Sequence, residues 1–263
     1  MFSMKKTPVE INYFAFCRFL GGLNSSLIKF DSASAMHTGV PVSDMNWAFN
    51  EKPLNKKNRE DIRTIKEYYS RCNLHFEWWV YPCGQSPGTQ RMLQETGLEW
   101  FTKKTCMVAD LNKPLSDACS RHEMEILPVQ DIRGLHVWRE TSLNGFEISD
   151  YAKEPYNRFV ASFEIGPQSP LKLFILYFDK QPVSTSILFR HKNTAGIYYV
   201  STLPAYRNKG CGLKITQAAM KEARHNHFKD IVLQSEPSGI NVYKRAGFQE
   251  CCQAEIYKTV SKR

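Results

Sequence analysis

The stretch "RNKGCG" at residues 207–212 places an arginine, a lysine and two glycines directly ahead of a segment that is apolar at helical spacing. An apolar run closes at Leu203, so this stretch joins a predicted strand to a helix beginning near Leu213. The first N–H groups of a helix have no partner inside it. The positive end of the macrodipole lies there too, so such a junction favours a phosphate. Gly210 and Gly212 let the backbone approach a ligand closely and adopt dihedrals closed to other residues. Arg207 and Lys209 add positive charge. The competing reading is an ordinary surface turn, with glycines that permit it and basic residues that solvate it.

The elements that must position this loop are legible in the second half. "LKLFILYFD" (171–179), "PVSTSILFRH" (182–191) and "AGIYYVSTL" (195–203) predict three antiparallel strands, the first two joined by a hairpin at Lys180–Gln181. Pro204 ends the third, because proline cannot donate to a strand ladder. "LKITQAAMKEARH" sets Leu213, Ile215, Thr216, Ala219, Met220 and Ala223 on one helical face. "DIVLQSE" predicts a strand, "SGINVYKRA" a helix stopped by Gly247, and "CCQAEIYKTV" a final strand. Two helices precede them, "QDIRGLHVWRETSL" and "SDYAKEPYNRFVASFEI", the second interrupted near Pro155. The plan is α+β.

The first half repeats the end of that plan: helix "EDIRTIKEYYSRC", strand "LHFEWWVYP", helix "GTQRMLQET" stopped by Gly97, and strand "WFTKKTCMVADL". "TGLEWF" and "AGFQEC" align Gly97 with Gly247, and the strand-ending Pro82 and Pro237 are separated by nearly the same interval. Such self-similarity implies a duplicated domain. The polar, proline-bearing "DLNKPLSDAC" (110–119) sets the expected domains at 1–118 and 119–263.

Composition narrows the classes. With 263 residues, 42% hydrophobic and 13% aromatic, the chain can bury a sizeable core and is not disordered. No apolar run reaches the ~20 residues of a membrane span. "INYFAFCRFLGGL" (11–23), broken by Arg18, reads as a buried helix instead of a signal core, so a cytoplasmic location is expected. The eight cysteines include no C-x-x-C pair, and no metal site is expected. His225 and His227 suit a helix C-terminus. The formal charge of +9 is spread along the chain and fits any polyanion, nucleic acid or phosphorylated ligand alike.

Arg-x-x-Gly-x-Gly after a third strand, followed by a helix, a strand and "GINVYKRAGF", resembles the GCN5-related N-acetyltransferase (GNAT) family over about residues 120–260. Gly239 stands where the family has alanine, and Tyr243, Gly247 and Phe248 match. The resemblance implies two α/β halves, each a mixed, mostly antiparallel sheet flanked by helices. The first half looks like a degenerate copy, since "GLEWFTKKTCMVADL" fits the closing strand but no Arg-x-x-Gly-x-Gly precedes it. It also implies direct transfer of an acetyl group from acetyl-coenzyme A to an amine of a small molecule or a protein.

Carried onto this sequence, the resemblance assigns the acyl donor to the end of the third strand (Ser201, Thr202, Leu203) and to the loop Arg207, Asn208, Lys209, Gly210, Cys211, Gly212 and Leu213. Tyr243 would lie beside the thioester sulfur and return a proton to the leaving thiolate. An unperturbed phenol near ~10 is close enough to a thiol's ~8.5 for that step. Two carboxylates are candidate bases for the amine. Glu236 stands where many family members carry a cofactor-contacting asparagine, and Glu164 is read at the end of the second helix. The acceptor pocket is expected between the halves, with Asp44, Asn46 and Trp47 divided between lining and packing, and Trp78 and Trp79 in the core. A non-catalytic acyl-coenzyme A sensor is the alternative of another class, and charge-driven nucleic-acid binding a third. Neither a specific nucleic-acid partner nor a membrane is expected.

Overall fold

Helix α1 (Pro8–Leu23) begins where the sequence supplies both halves of a capping box: Thr7 Oγ1 accepts from the Glu10 amide, and the Glu10 carboxylate accepts from the Thr7 amide. Val9, Phe14, Phe16, Cys17 and Leu20 are buried, so the apolar N-terminal segment is a core helix. The computed structural model describes residues 6–115 and 123–259. Packing divides the chain into two units, Met1–Thr105 with Cys252–Arg263, and Cys106–Cys251.

In the first unit α1 is followed by β1 (Ile28–Lys29), β2 (Ala33–His37), β3 (Asn46–Asn50), α2 (Arg59–Arg71), β4 (Glu77–Val80), α3 (Pro87–Glu95) and β5 (Leu98–Asp110). Strands β1, β2 and β3 are antiparallel neighbours, and β3 runs parallel to β4. Asn46 and Trp47, divided between lining a cleft and packing, therefore stand on strand β3. Asn46 is fully buried, its amide nitrogen donating to the carbonyls of Val40, Val42 and His75 and its oxygen accepting from Thr38. Trp47, Trp78 and Trp79 are buried, while Asp44 is exposed.

The second unit continues with β6 (Met124–Pro128), α4 (Ile132–Gly145), α5 (Asp150–Ala161), β7 (Leu171–Phe178), β8 (Gln181–His191), β9 (Thr194–Thr202), α6 (Cys211–His225), β10 (Asp230–Ser235) and α7 (Ile240–Ala246), after which β11 (Gln249–Thr259) passes into the first unit from Cys252. From α4 onward this is the element order read from the sequence. The β7–β8 turn uses Asp179 and Lys180, both in the left-handed region (φ 48° and 66°) that a two-residue hairpin requires. The sheet order is β10-β9-β8-β7-β6, antiparallel except for the β9–β10 pair. Helix α6 lays Leu213, Ile215, Ala219, Met220 and Ala223 on the core with Leu176, Leu188, Ile197 and Leu233. Each such leucine, isoleucine or methionine contributes about 1.5–3 kcal/mol on burial.

Two expectations are corrected. Helix α5 runs unbroken through Pro155. Proline's fixed φ is helical, so its cost is a lost hydrogen bond and local crowding, and buried Tyr156, Phe159 and Val160 follow to hold the turn. Helix α6 starts at Cys211, not Leu213. The domain boundary expected at 118/119 falls outside the described residues. The C-terminal strand, β11, pairs antiparallel with β4 in the first unit (Glu255↔Val80 to Lys258↔Glu77), with Tyr257 in that unit's core. Met107 and Ala109 of β5 lie in the core of the second unit. Strand partnership is a long-range choice that a local composition break does not encode.

Candidate functional site

Strands β9 and β10 pair in parallel over Thr194↔Asp230, Ala195↔Ile231 and Gly196↔Val232. Strand β9 then continues to Thr202 and β10 to Ser235, beyond that ladder. The cause lies in β9 itself. Its register with β8 steps between Thr185 and Ile187, and Tyr199 sits at φ +52°, a bulge that bends the strand. The Tyr199 ring packs among Trp138, Phe146 and Phe159.

Past the bulge, the Leu203 amide donates to the Val183 carbonyl at 2.9 Å. Alternation along a strand then turns the backbone groups of Thr202 and Val200 to the opposite edge, the one facing the divergence. Of the three strand-end residues expected to offer amides, Thr202 is so placed and Leu203 is engaged with β8. The Ser201 hydroxyl is directed at Thr185 Oγ1, 2.7 Å away. Val200 was not anticipated, because only the bulge sets which residues face which edge.

The loop from Arg207 to Gly210 is exposed and carries two left-handed residues, Asn208 (φ +62°) and Gly210 (φ +86°). Gly210 is the N-cap of α6, and no side chain caps that end. The first helical bond runs from the Lys214 amide to the Gly210 carbonyl (3.0 Å), so the amides of Cys211, Gly212 and Leu213 have no acceptor within the helix. The first turn holds no acidic residue. A Cβ on Gly212 would meet only Val242 Cγ1 of α7, at 3.8 Å, so this glycine keeps the approach between α6 and α7 bare. The Lys209 ammonium lies over the rings of Tyr206 (4.9 Å) and Phe178 (5.7 Å), and the Cys211 thiol is buried, which raises its pKa. Arg207, expected at a phosphate, bonds here to groups of the protein itself. Its Nε donates to the Thr202 carbonyl (3.2 Å) and its Nη2 to the Gly145 carbonyl (3.0 Å) and Glu147 Oε2 (2.7 Å).

Tyr243, on α7, packs edge-on to Phe248 (6.1 Å) and borders the core beneath α6. Desolvation pushes its phenol up to about 12. The hydroxyl is therefore protonated at any ordinary pH, and it suits hydrogen-bond donation better than outright proton release. Gly239 explains its own departure from alanine. A Cβ there would lie 2.9 Å from Ser235 Oγ and 3.0 Å from Tyr243 Cε2. Glu236 is exposed at the N-cap of the short turn that follows β10. Glu164 is not at a helix end: α5 stops at Ala161, and Glu164 is exposed in the connection to β7. Among the described residues no cluster of His, Cys, Asp or Glu could hold a metal ion, and no helix is long and apolar enough to cross a membrane.

A mixed sheet whose two parallel strands diverge ahead of an uncapped, glycine-led helix is the architecture of the GNAT fold. Residues 169–250 match the family model of the acetyltransferase (GNAT) domain. Among solved structures, a GCN5-related N-acetyltransferase from Kribbella flavida is 14% identical with a TM-score of 0.72, over 95% of each chain. One from Sphaerobacter thermophilus is 12% identical (TM-score 0.64; 87% of this chain and 76% of that one). A tandem GNAT protein from the clavulanic acid biosynthesis pathway is 11% identical (TM-score 0.57; 88% and 80%). At these identities the likeness is one of fold. No curated protein matches the sequence.

Proposed function

We propose that the second unit is an acetyl-coenzyme A-dependent N-acetyltransferase acting on an amine of a small molecule or a protein. The observation that carries this reading is the divergence of β9 and β10 in front of a helix N-terminus that has neither a side-chain cap nor an acidic residue. The free amides of residues 211–213 suit the donor's diphosphate. The open edge of β9 at Val200 and Thr202 suits its amide-bearing arm and can polarise the thioester carbonyl. Tyr243 donates a hydrogen bond to the sulfur as negative charge develops there. Glu236, beside the end of β10, is the better placed of the two carboxylates to take a proton from the amine. Glu164, three residues past α5, is not held by an element that packs on the loop. The first unit, in this reading, is a second copy of the fold that has lost its donor site. Its support is the recurrence of a proline-led turn after a strand, a helix, and a left-handed glycine, at Pro82 and Gly97 (φ +80°) and at Pro237 and Gly247 (φ +104°).

The test is a thermal shift followed by turnover. Acetyl-coenzyme A at 100 times its Kd should stabilise the chain by about 2.7 kcal/mol. Tyr243→Phe should lower turnover about 10–100-fold while coenzyme A affinity changes less than about twofold. With the folded pKa raised, phenol ionisation is favoured in the unfolded chain first. Stability associated with Tyr243 is whole below pH ~10 and declines as pH rises towards 12. An alkaline limb of activity assigned to this tyrosine should therefore lie near 12. Binding with no acetyl transfer to any amine in the wild-type protein would instead favour the sensor.

A further inference from the structure

Arg207 is the first residue of the loop motif, and its resting place suggests a different task from holding phosphate. Two of its three guanidinium nitrogens are already committed, Nε to the Thr202 carbonyl and Nη2 to both the Gly145 carbonyl and Glu147. Gly145 is the last residue of α4, where carbonyls lack intrahelical partners and a cation is favoured by the dipole. Thr202 ends β9 on its open edge. Glu147 lies just past α4 in the left-handed region (φ +54°). The α4 terminus already abuts β9, since a Cβ on Gly145 would fall 2.6 Å from Ser201 Oγ. The Arg207–Glu147 pair is half-exposed, and alone such a pair is worth little. The fork joining three acceptors on two separate segments, the end of β9 and the connection after α4, is what makes a strut.

We infer that Arg207 is a positioning residue that ties the donor loop to the connection between α4 and α5. It fixes Gly145, Phe146 and Glu147 against the end of β9. Phe146 is 39% exposed and lies edge-on to Tyr199 (6.0 Å), so the strut also sets where an apolar side chain stands beside the bulge. Because Arg207 is part of the loop, immobilising residues 208–213 immobilises the connection as well. Occupancy by the donor and order at residues 145–149 are thereby linked. That linkage rests on the acetyltransferase reading, whereas the strut in the free protein does not.

The experiment is amide hydrogen exchange together with coenzyme A titration by calorimetry on the full chain, comparing wild type, Arg207→Gln, Arg207→Lys and Glu147→Gln. Without ligand, Arg207→Gln should speed exchange at 145–149 about tenfold, and Glu147→Gln by a smaller factor. Arg207→Lys keeps the charge but loses the fork, and should behave like Arg207→Gln. Coenzyme A should slow exchange at 145–149 in wild type but not in Arg207→Gln, with its Kd raised less than about threefold. A Kd raised tenfold or more with unchanged exchange at 145–149 would make Arg207 a phosphate ligand and overturn the inference. So would wild-type exchange in Arg207→Lys. If coenzyme A fails to bind the wild-type protein, the acetyltransferase reading falls, and the ligand-free comparison still decides the strut.

Discussion

Both units set two strands in parallel, send a helix from the end of the first, and return through a proline-led turn and a second helix stopped by a left-handed glycine. They differ where a donor would bind. In the first unit the β3–β4 ladder runs to the last residue of both strands, Asn50↔Val80. Beyond it the Asn50 side chain donates to the Gly84 carbonyl (3.1 Å) and accepts from Trp78 Nε1 (3.0 Å). The Cys83 amide donates to the buried Glu10 carboxylate (2.8 Å), and Glu60 and Asp61 occupy the first turn of α2. Side chains of the first unit thus bond the backbone beyond its ladder, and carboxylates stand in the first turn of its helix. In the second unit the ladder stops at Gly196↔Val232, and the first turn of α6 presents bare amides. Similar connectivity yields a sealed junction in one case and an open one in the other, and side-chain chemistry at a few positions makes the difference.

The largest effect should come from moving the first unit's chemistry into the second. Glu60 is the second residue of α2, and Gly212 is the second of α6. Gly212→Glu would place a carboxylate among the amides that a diphosphate needs. The site has room for a Cβ, so the fold should persist. Calorimetry should show coenzyme A affinity reduced at least about 100-fold, equivalent to about 2.7 kcal/mol, with Tm nearly unchanged. Retained affinity would mean that the α6 N-terminus is not where the donor's phosphates bind.

Gly210→Ala should act next in size, and through the backbone. Nothing crowds a Cβ there, but φ +86° is costly for alanine. Thermal unfolding should show a loss of about 1 kcal/mol. Coenzyme A affinity should fall less than in Gly212→Glu, since no opposing charge is introduced.

How these two junctions read in the sequence depends on the range of the interactions involved. The glycines at 97, 210 and 247 were legible because a left-handed turn is a local demand, and helix α6 was legible from its apolar spacing. The sealing of the first unit was not. Asn46 is divided between pocket lining and packing in the sequence, and Asn50 carries no reading there, yet both donate to carbonyls brought in from other segments. The partners of Arg207 belong to this class, because Gly145 and Glu147 approach it only once α4 packs on β9. The assignment of β11 to the first unit depends on its pairing with β4, and strand patterning alone does not name a partner. Pro155 misled for the converse reason: a strong local signal for a break is overridden by the burial of the residues that follow it.

The smallest effect tests whether charge alone separates the two junctions. Glu60→Gln with Asp61→Asn removes the carboxylates from the first turn of α2, which should cost about 0.3–1 kcal/mol for each lost interaction with the helix end. It should not create a second coenzyme A site, because the β3–β4 ladder and the Asn50–Gly84 bond remain. Gly84 leaves no slack there, since even a Cβ on it would fall 2.2 Å from Asn50 Nδ2. Calorimetric stoichiometry should therefore stay at about one coenzyme A per chain in the double variant. A stoichiometry near two would show that acidic residues alone closed the first unit and that its ladder can open. The contrast between the units would then rest on electrostatics, with strand pairing a consequence.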